Sequence, residues 1–214
     1  MTMIASVLRL DRKALHALRV TDLYSLHRVV YSLYEDVRTE IAKADGETSG
    51  ILFADQGGDF FGRKILLLAN RMPATCLEGQ YGEVLSKQIN DSFLEYERYR
   101  FKVIVNPSYR DAASHKRVPV KGREAIGDWF LKKSEQSWGF RASSEHLQVD
   151  RVDVQKFKAK QQCSITIAQA QVQGQLCVTN REKFRNSFCR GIGSGRAFGC
   201  GLLQMVPLLD NSLA

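Results

Sequence analysis

The chain has 214 residues, 44% of them hydrophobic and 25% charged, a balance that supports a packed core and excludes a wholly disordered polymer. Lysine and arginine outnumber aspartate and glutamate by 31 to 23, giving a net charge of +8, so a polyanion, either nucleic acid or an acidic membrane surface, is the expected class of partner. No run approaches the roughly 18–20 apolar residues that span a bilayer. Even Ile65 to Ala69 is flanked by Arg63, Lys64 and Arg71, and Arg9, Asp11, Arg12 and Lys13 interrupt the N-terminus before a signal-peptide core forms. A soluble, cytoplasmic protein that does not enter the membrane is expected.

In chain order, Ile4 to Leu10 reads as a strand, followed by a polar break. A helix then begins near Thr21, the expected N-cap, with Leu23, Leu26, Val30, Leu33 and Val37 on one side at three- and four-residue steps. Gly50 to Ala54 and Lys64 to Ala69 read as short strands around the turn-rich segment Asp55 to Asp59. Tyr81 to Ile89 fits helix and strand equally. Arg98 to Asn106 alternates basic and apolar residues, the pattern of a strand with one face on the core, and Pro107 closes it.

Past Pro107 lie a basic turn, Ser114 to Arg117, and a helix over about Arg123 to Ser137. Strands follow near Val149 to Phe157, Cys163 to Val172 and Gln175 to Val178. A helix from Arg181 to Arg190, closed by Gly191, leads to a last strand through Leu202, Leu203 and Val206. Each half mixes strands with one or two helices, so two α+β modules are expected, 1–108 and 109–214.

Three features carry chemistry. His27 sits at the border of the first helix's apolar stripe, with Tyr24 and Tyr31 three and four residues away on its side. An imidazole beside a phenol on a rigid helix suits general acid or base catalysis, although a histidine on an amphipathic helix is more often structural. The second feature, Gly191 to Gly201, is dense in glycine. Its amides, with Gly193, Gly195 and Arg196 foremost, suit either phosphate contact or a structural connection. It matches neither nucleotide-binding glycine motif.

The third is basic material interleaved with aromatics: Arg98, Arg100, Lys102, Lys116, Arg117, Lys121, Lys132, Lys133, Lys156, Lys158 and Lys160 among Tyr96, Tyr99, Phe101, Tyr109 and Phe157. Charge runs are usually solvated faces, but this mixture suits contacts to RNA phosphates and bases. The five cysteines include no CxxC pair, so buried free thiols are expected rather than disulfides or a zinc site. The carboxylates are scattered and no GxSxG element occurs, so neither a metal site, a cofactor nor a hydrolase triad is expected.

Asp22-Leu-Tyr-Ser-Leu-His27 and the ending Gly191-Ile-Gly-Ser-Gly-Arg-Ala-Phe-Gly-Cys-Gly-Leu-Leu203 resemble the two ends of CasE proteins, the CRISPR repeat endoribonucleases of type I-E Cascade. Tyr99 to Pro107, Lys116 to Lys121 and Trp129 resemble the middle of that family in the same order. The resemblance implies two tandem ferredoxin-like, RRM-like modules. It implies metal-independent cleavage on the 3′ side of a CRISPR repeat hairpin by 2′-hydroxyl attack, leaving a 2′,3′-cyclic phosphate, with His27 catalytic and Tyr24 assisting. Partners would be the repeat RNA and other subunits of a Cascade-like effector complex. The family usually has lysine where this chain has Arg196, which keeps the charge but changes its geometry. A non-catalytic RNA-binding subunit is the main alternative and a DNA-binding regulator the second, though no helix-turn-helix is evident.

Overall fold

The computed structural model describes residues 2–39, 41, 48–158 and 163–209. Lys160 and the end of the C-terminal tail lie outside them. The chain forms two compact units, one of residues 1–89 with 197–199 and the other of 90–196 with 200–214.

In the first unit, β1 (Ile4–Asp11) lies between β3 (Gly62–Ala69) and β4 (Glu83–Gln88), and β2 (Ile51–Gly58) covers the outer edge of β3. All pairs are antiparallel and the order is β2-β3-β1-β4. Along β1, Ile4, Leu8 and Leu10 alternate inward, as a half-buried strand requires. Leu8 and Leu10 share a core with Phe53, Ile65 and Leu67 from the sheet and Leu26, Val29 and Val30 from helix α2 (Leu23–Ser32).

The start of α2 is fixed by Asp22 rather than Thr21. Its carboxylate accepts from the Ser25 amide at 2.7 Å while the Ser25 hydroxyl accepts from the Asp22 amide at 2.9 Å, a reciprocal box that satisfies two otherwise orphaned donors. The helix caps at Leu33, so Val37, expected on the apolar stripe, falls beyond it and is 64% exposed. A short helix, α1 (Arg12–Ala17), N-capped by Asp11, occupies the segment read as a polar break. The two hairpin strands run further toward each other than expected, with a register shift between Asp55 and Gly58. Tyr81 to Ile89 resolves to strand β4.

In the second unit, β5 (Arg98–Val105) is flanked by β10 (Ser164–Val178) and β11 (Gln204–Pro207). The far side of β10 pairs with β8 (Phe140–Ala142) and with β9 (Gln148–Lys158). Helix α3 (Arg123–Ser137) connects β5 to β8, and α4 (Arg181–Arg190) connects β10 to β11. A hairpin of β6 (Ser108–Arg110) and β7 (Arg117–Pro119) precedes α3. The core is aromatic: Phe101 stacks on Phe130 at 5.4 Å, and Tyr99, Trp138, Phe140 and Phe184 surround them.

Both sheets share one topology. Numbering the main strands of each unit in chain order, the first lies in the middle beside the third, the fourth pairs with the first and the second with the third. This is the ferredoxin-like arrangement, complete with both crossover helices in the second unit. In the first, the second crossover at 70–82 carries only a short 3-10 turn. The division falls at 89/90, whereas the expected boundary at 108 leaves β5 with the first module. Its hydrogen bonds to β10 and β11 tie it to the second sheet.

Candidate active site

His27 is half-buried on α2, at the edge of the face that Leu23, Leu26 and Val30 bury. Residues Ala197 to Gly199 of the glycine-rich segment belong to the same compact unit. The imidazole Nδ1 lies 2.8 Å from the Ala197 carbonyl oxygen. A carbonyl only accepts, so Nδ1 carries the hydrogen and Nε2 keeps its lone pair. Burial lowers the pKa of His27 below its ordinary value, and the Ala197 hydrogen bond opposes this only partly. At neutral pH the ring is therefore uncharged, in one tautomer, with Nε2 basic.

Three rings surround it. Tyr31 is the nearest at 4.1 Å, Phe198 lies at 5.6 Å, and Tyr24 is nearly parallel at 6.2 Å. Tyr24 and His27, paired from the sequence, thus share a patch, and Tyr31 makes the closer contact.

The glycine-rich segment is mainly a shaped connection. Gly191 caps α4 with φ of 75°. A Cβ on Gly201 would collide with the Ile192 carbonyl, and one on Gly199 would lie 3.1 Å from the Phe53 ring. Gly195 would meet Asn106 and Cys200 at 3.4 Å. Gly193 is exposed with nothing within 4 Å of a Cβ, so its backbone is open. Arg196 donates to the Arg190 carbonyl at 3.0 Å, which sets its cation at the C-terminal end of α4.

The basic residues fall into three groups within the second unit. Arg98, Arg100 and Lys102 share one face of β5, opposite the buried Tyr99, Phe101 and Val103. On the neighbouring strand Cys177, Gln175 and Gln173 stand across from them in register. Lys116 and Arg117 are exposed at the β6–β7 hairpin and Lys121 just after it. That hairpin is tied to α3 by the Trp129 indole, which donates to the Ser108 carbonyl at 3.2 Å. Lys132 is exposed on α3 and Lys133 half-buried.

Among the described residues no three His, Cys, Asp or Glu side chains are placed to hold a metal ion, and no helix is long and apolar enough to cross a membrane. The cysteines are free, but only Cys200 is fully buried. Cys76 and Cys189 are half-buried and Cys163 and Cys177 exposed, because the last two lie at the start of β10 and on its polar face.

Residues 3–207 match the model of a family described as CRISPR associated protein. The chain belongs to this CRISPR-associated family. A curated relative, the CRISPR-associated endoribonuclease Cse3 of Thermus thermophilus, is 28% identical over 141 residues. The match spans 61% of this chain and 66% of the relative, a little under two thirds of its length. The structure of Thermus thermophilus Cse3 bound to an RNA representing a pre-cleavage complex superposes with a TM-score of 0.78 at 23% identity, covering 97% of this chain and 100% of that one. A chain of a CRISPR RNA-guided surveillance complex superposes at 0.69 and 15% identity, covering 96% and 100%. These structural likenesses establish the fold, two tandem ferredoxin-like modules, in agreement with the strand order of both sheets. Ala197, Phe198 and Tyr31 are the members of the His27 site to which sequence reasoning assigns no role. Tyr31 is visible there as a neighbour four residues on, whereas a main-chain carbonyl leaves no mark in sequence.

Proposed function

We propose that this CRISPR-associated chain is a metal-independent endoribonuclease of the CasE type that cuts a CRISPR repeat hairpin on its 3′ side. The observation that carries the reading is the 2.8 Å contact of His27 Nδ1 with the Ala197 carbonyl, which, with burial favouring the neutral ring, leaves Nε2 to accept a proton. In that state Nε2 accepts the proton of a ribose 2′-hydroxyl, whose oxygen attacks the adjacent phosphorus. The 5′-oxygen of the next nucleotide departs and takes up a proton, leaving a 2′,3′-cyclic phosphate and a 5′-hydroxyl. Tyr24, on the same patch, assists by positioning or hydrogen bonding. The Cse3 endoribonuclease named above and its RNA-bound structure support this activity, and the surveillance-complex likeness supports retention of the product as a subunit of a Cascade-like effector in the cytoplasm.

Arg98, Arg100, Lys102, Lys116, Arg117, Lys121, Lys132 and Lys133 grip the RNA through its phosphates, with Gly193, Gly195 and Arg196 adding contacts from the loop. The test is cleavage of the neighbouring CRISPR repeat RNA in excess EDTA, with binding measured in parallel. Wild type cuts, and His27→Ala binds equally but cuts about 10²- to 10⁴-fold more slowly, the range of general acid-base catalysis. If both bind and neither cuts, the chain is a non-catalytic RNA-binding subunit. Cutting of an all-DNA hairpin would overturn the mechanism, which requires the 2′-hydroxyl.

A further inference from the structure

Among the described residues His27 has one hydrogen-bond anchor, the Ala197 carbonyl. A single bond at Nδ1 fixes the tautomer but leaves the ring able to pivot about that contact, so it does not by itself determine where Nε2 points. What limits the pivot is the ring at 4.1 Å, tilted by 40°, which belongs to Tyr31. Tyr31 is itself held. The Ser49 hydroxyl donates to the Tyr31 phenol oxygen at 3.0 Å and accepts from the Ile51 amide at 3.3 Å. Arg71 donates to the Ser49 carbonyl at 3.0 Å and, through Nε, to the Glu35 carbonyl at 3.2 Å. The start of β2 and the segment after α2 are thereby tied to one guanidinium, with Ser49 between them and the imidazole at the end of the chain of contacts.

We propose that Tyr31, anchored through its hydroxyl by Ser49, is a positioning residue that aims the His27 imidazole at the RNA. The inference rests on His27 being the base of the proposed cleavage. A tyrosine that merely filled the core edge would need its ring but not its hydroxyl. Here the hydroxyl is engaged from a segment 18 residues away, and the ring lies closer to the imidazole than those of Phe198 and Tyr24 do. Among the described residues, the Tyr24 and Tyr31 rings from its own helix and the Phe198 ring and Ala197 carbonyl from the glycine-rich segment pack on the imidazole. Removing the Tyr31 ring, the nearest of the three, admits water to His27 and relieves the burial that lowers its pKa.

The experiment combines two readouts on wild type, Tyr31→Leu, Tyr31→Phe and Ser49→Ala: NMR titration of the His27 imidazole in the RNA-free protein, and single-turnover cleavage at saturating protein across pH. In Tyr31→Leu the His27 titration moves up toward the ordinary imidazole value, the acid limb of the rate profile moves with it, and the plateau rate falls about 10- to 100-fold at unchanged RNA affinity, the scale of a small misplacement of a reacting group. Tyr31→Phe and Ser49→Ala each slow cleavage several-fold and, because they break one bond, the double variant is no slower than either single one. If Tyr31→Leu lowers the melting temperature but leaves the His27 titration and rate profile as in wild type, or if Tyr31→Phe is indistinguishable from wild type, Tyr31 is only a core residue and the proposal fails. Should wild type not cut at all, the nuclease reading falls on its own, and the His27 titration still decides whether Tyr31 controls the imidazole.

Discussion

Gly199→Ala tests the link between the core of the first unit and the chemistry at His27. Gly199 has φ of +82°, and a Cβ there would sit 3.1 Å from the Phe53 ring, which is fully buried. The left-handed backbone costs an L-residue about 1–2 kcal/mol, the stiffer unfolded chain returns about 0.4–1, and overpacking a closed core adds about 1–3, for a net loss of roughly 1–5 kcal/mol. Gly193→Ala supplies the control, because its φ is +70° but nothing lies within 4 Å of the new methyl. Its cost is the backbone difference alone, about 0–1.6 kcal/mol.

Denaturant unfolding of both variants isolates the contact with Phe53. Single-turnover cleavage then reads what the contact does. Gly199 is two residues from the Ala197 carbonyl and one from Phe198, the two groups that hold and cover His27, so a shift of a few tenths of an ångström acts where orientation matters. Gly199→Ala slows cleavage by about 10-fold or more with RNA affinity retained, whereas Gly193→Ala acts on RNA affinity. Equal stability losses in the two variants, or wild-type cleavage by a destabilised Gly199→Ala, would refute the reasoning.

Two further outcomes are expected. Because burial lowers the His27 pKa and the proposed base is the neutral ring, cleavage is flat above neutrality and falls only as pH drops through a midpoint below the ordinary histidine value. The same sign makes the fold lose stability as pH falls below that ordinary value, since the unfolded chain takes up the proton first; a rate limb centred above it would contradict the buried neutral imidazole. Iodoacetamide modifies exposed Cys163 and Cys177 in the native protein but spares Cys200, whose thiol burial pushes up to about 12. Cys177 stands opposite Arg98 in the register of the basic face, so bound repeat RNA slows its alkylation, and an unchanged rate would place the RNA elsewhere.

Much of the fold is legible in the sequence because the period of the apolar residues is enforced by burial. The alternation in β5 puts Tyr99, Phe101 and Val103 inside and Arg98, Arg100 and Lys102 outside, and no other register of that strand buries its aromatics. The N-terminus of α2 is misplaced by one residue in the sequence because Thr21 and Asp22 are both capping types. Only the reciprocal bonds with Ser25 choose between them. The pattern divides β10 at Gly174, since a glycine within a strand reads as a break. In the structure the strand runs through it, and the missing side chain serves another purpose: a Cβ there would press to 2.8 Å on the His146 carbonyl. The boundary at 108 fails for a related reason. Pro107 ends an element, but whether that element is the last of one sheet or the first of the next depends on its hydrogen-bond partners, β10 and β11, which lie far along the chain.

The glycine-rich segment shows why function is half visible. Its density of glycine announces that the backbone does something side chains cannot allow, and two readings, connection and phosphate contact, follow equally well. The structure commits most of the residues to the connection, leaves one open and adds a third use. Gly191, Gly199 and Gly201 take positive φ where the segment leaves α4 or presses against Phe53 and Ile192, and Gly193 is left open. Between Gly195 and Gly199, the 3-10 turn Arg196–Phe198 presents the Ala197 carbonyl to a histidine 170 residues away. That carbonyl would be present whatever residue stood at 197, so no motif can encode it. What the sequence can encode is the set of glycines that let the turn reach its position. Substitutions at Gly199 therefore act on His27 more strongly than a conservative change at Ala197, because the backbone path and not the alanine side chain delivers the acceptor.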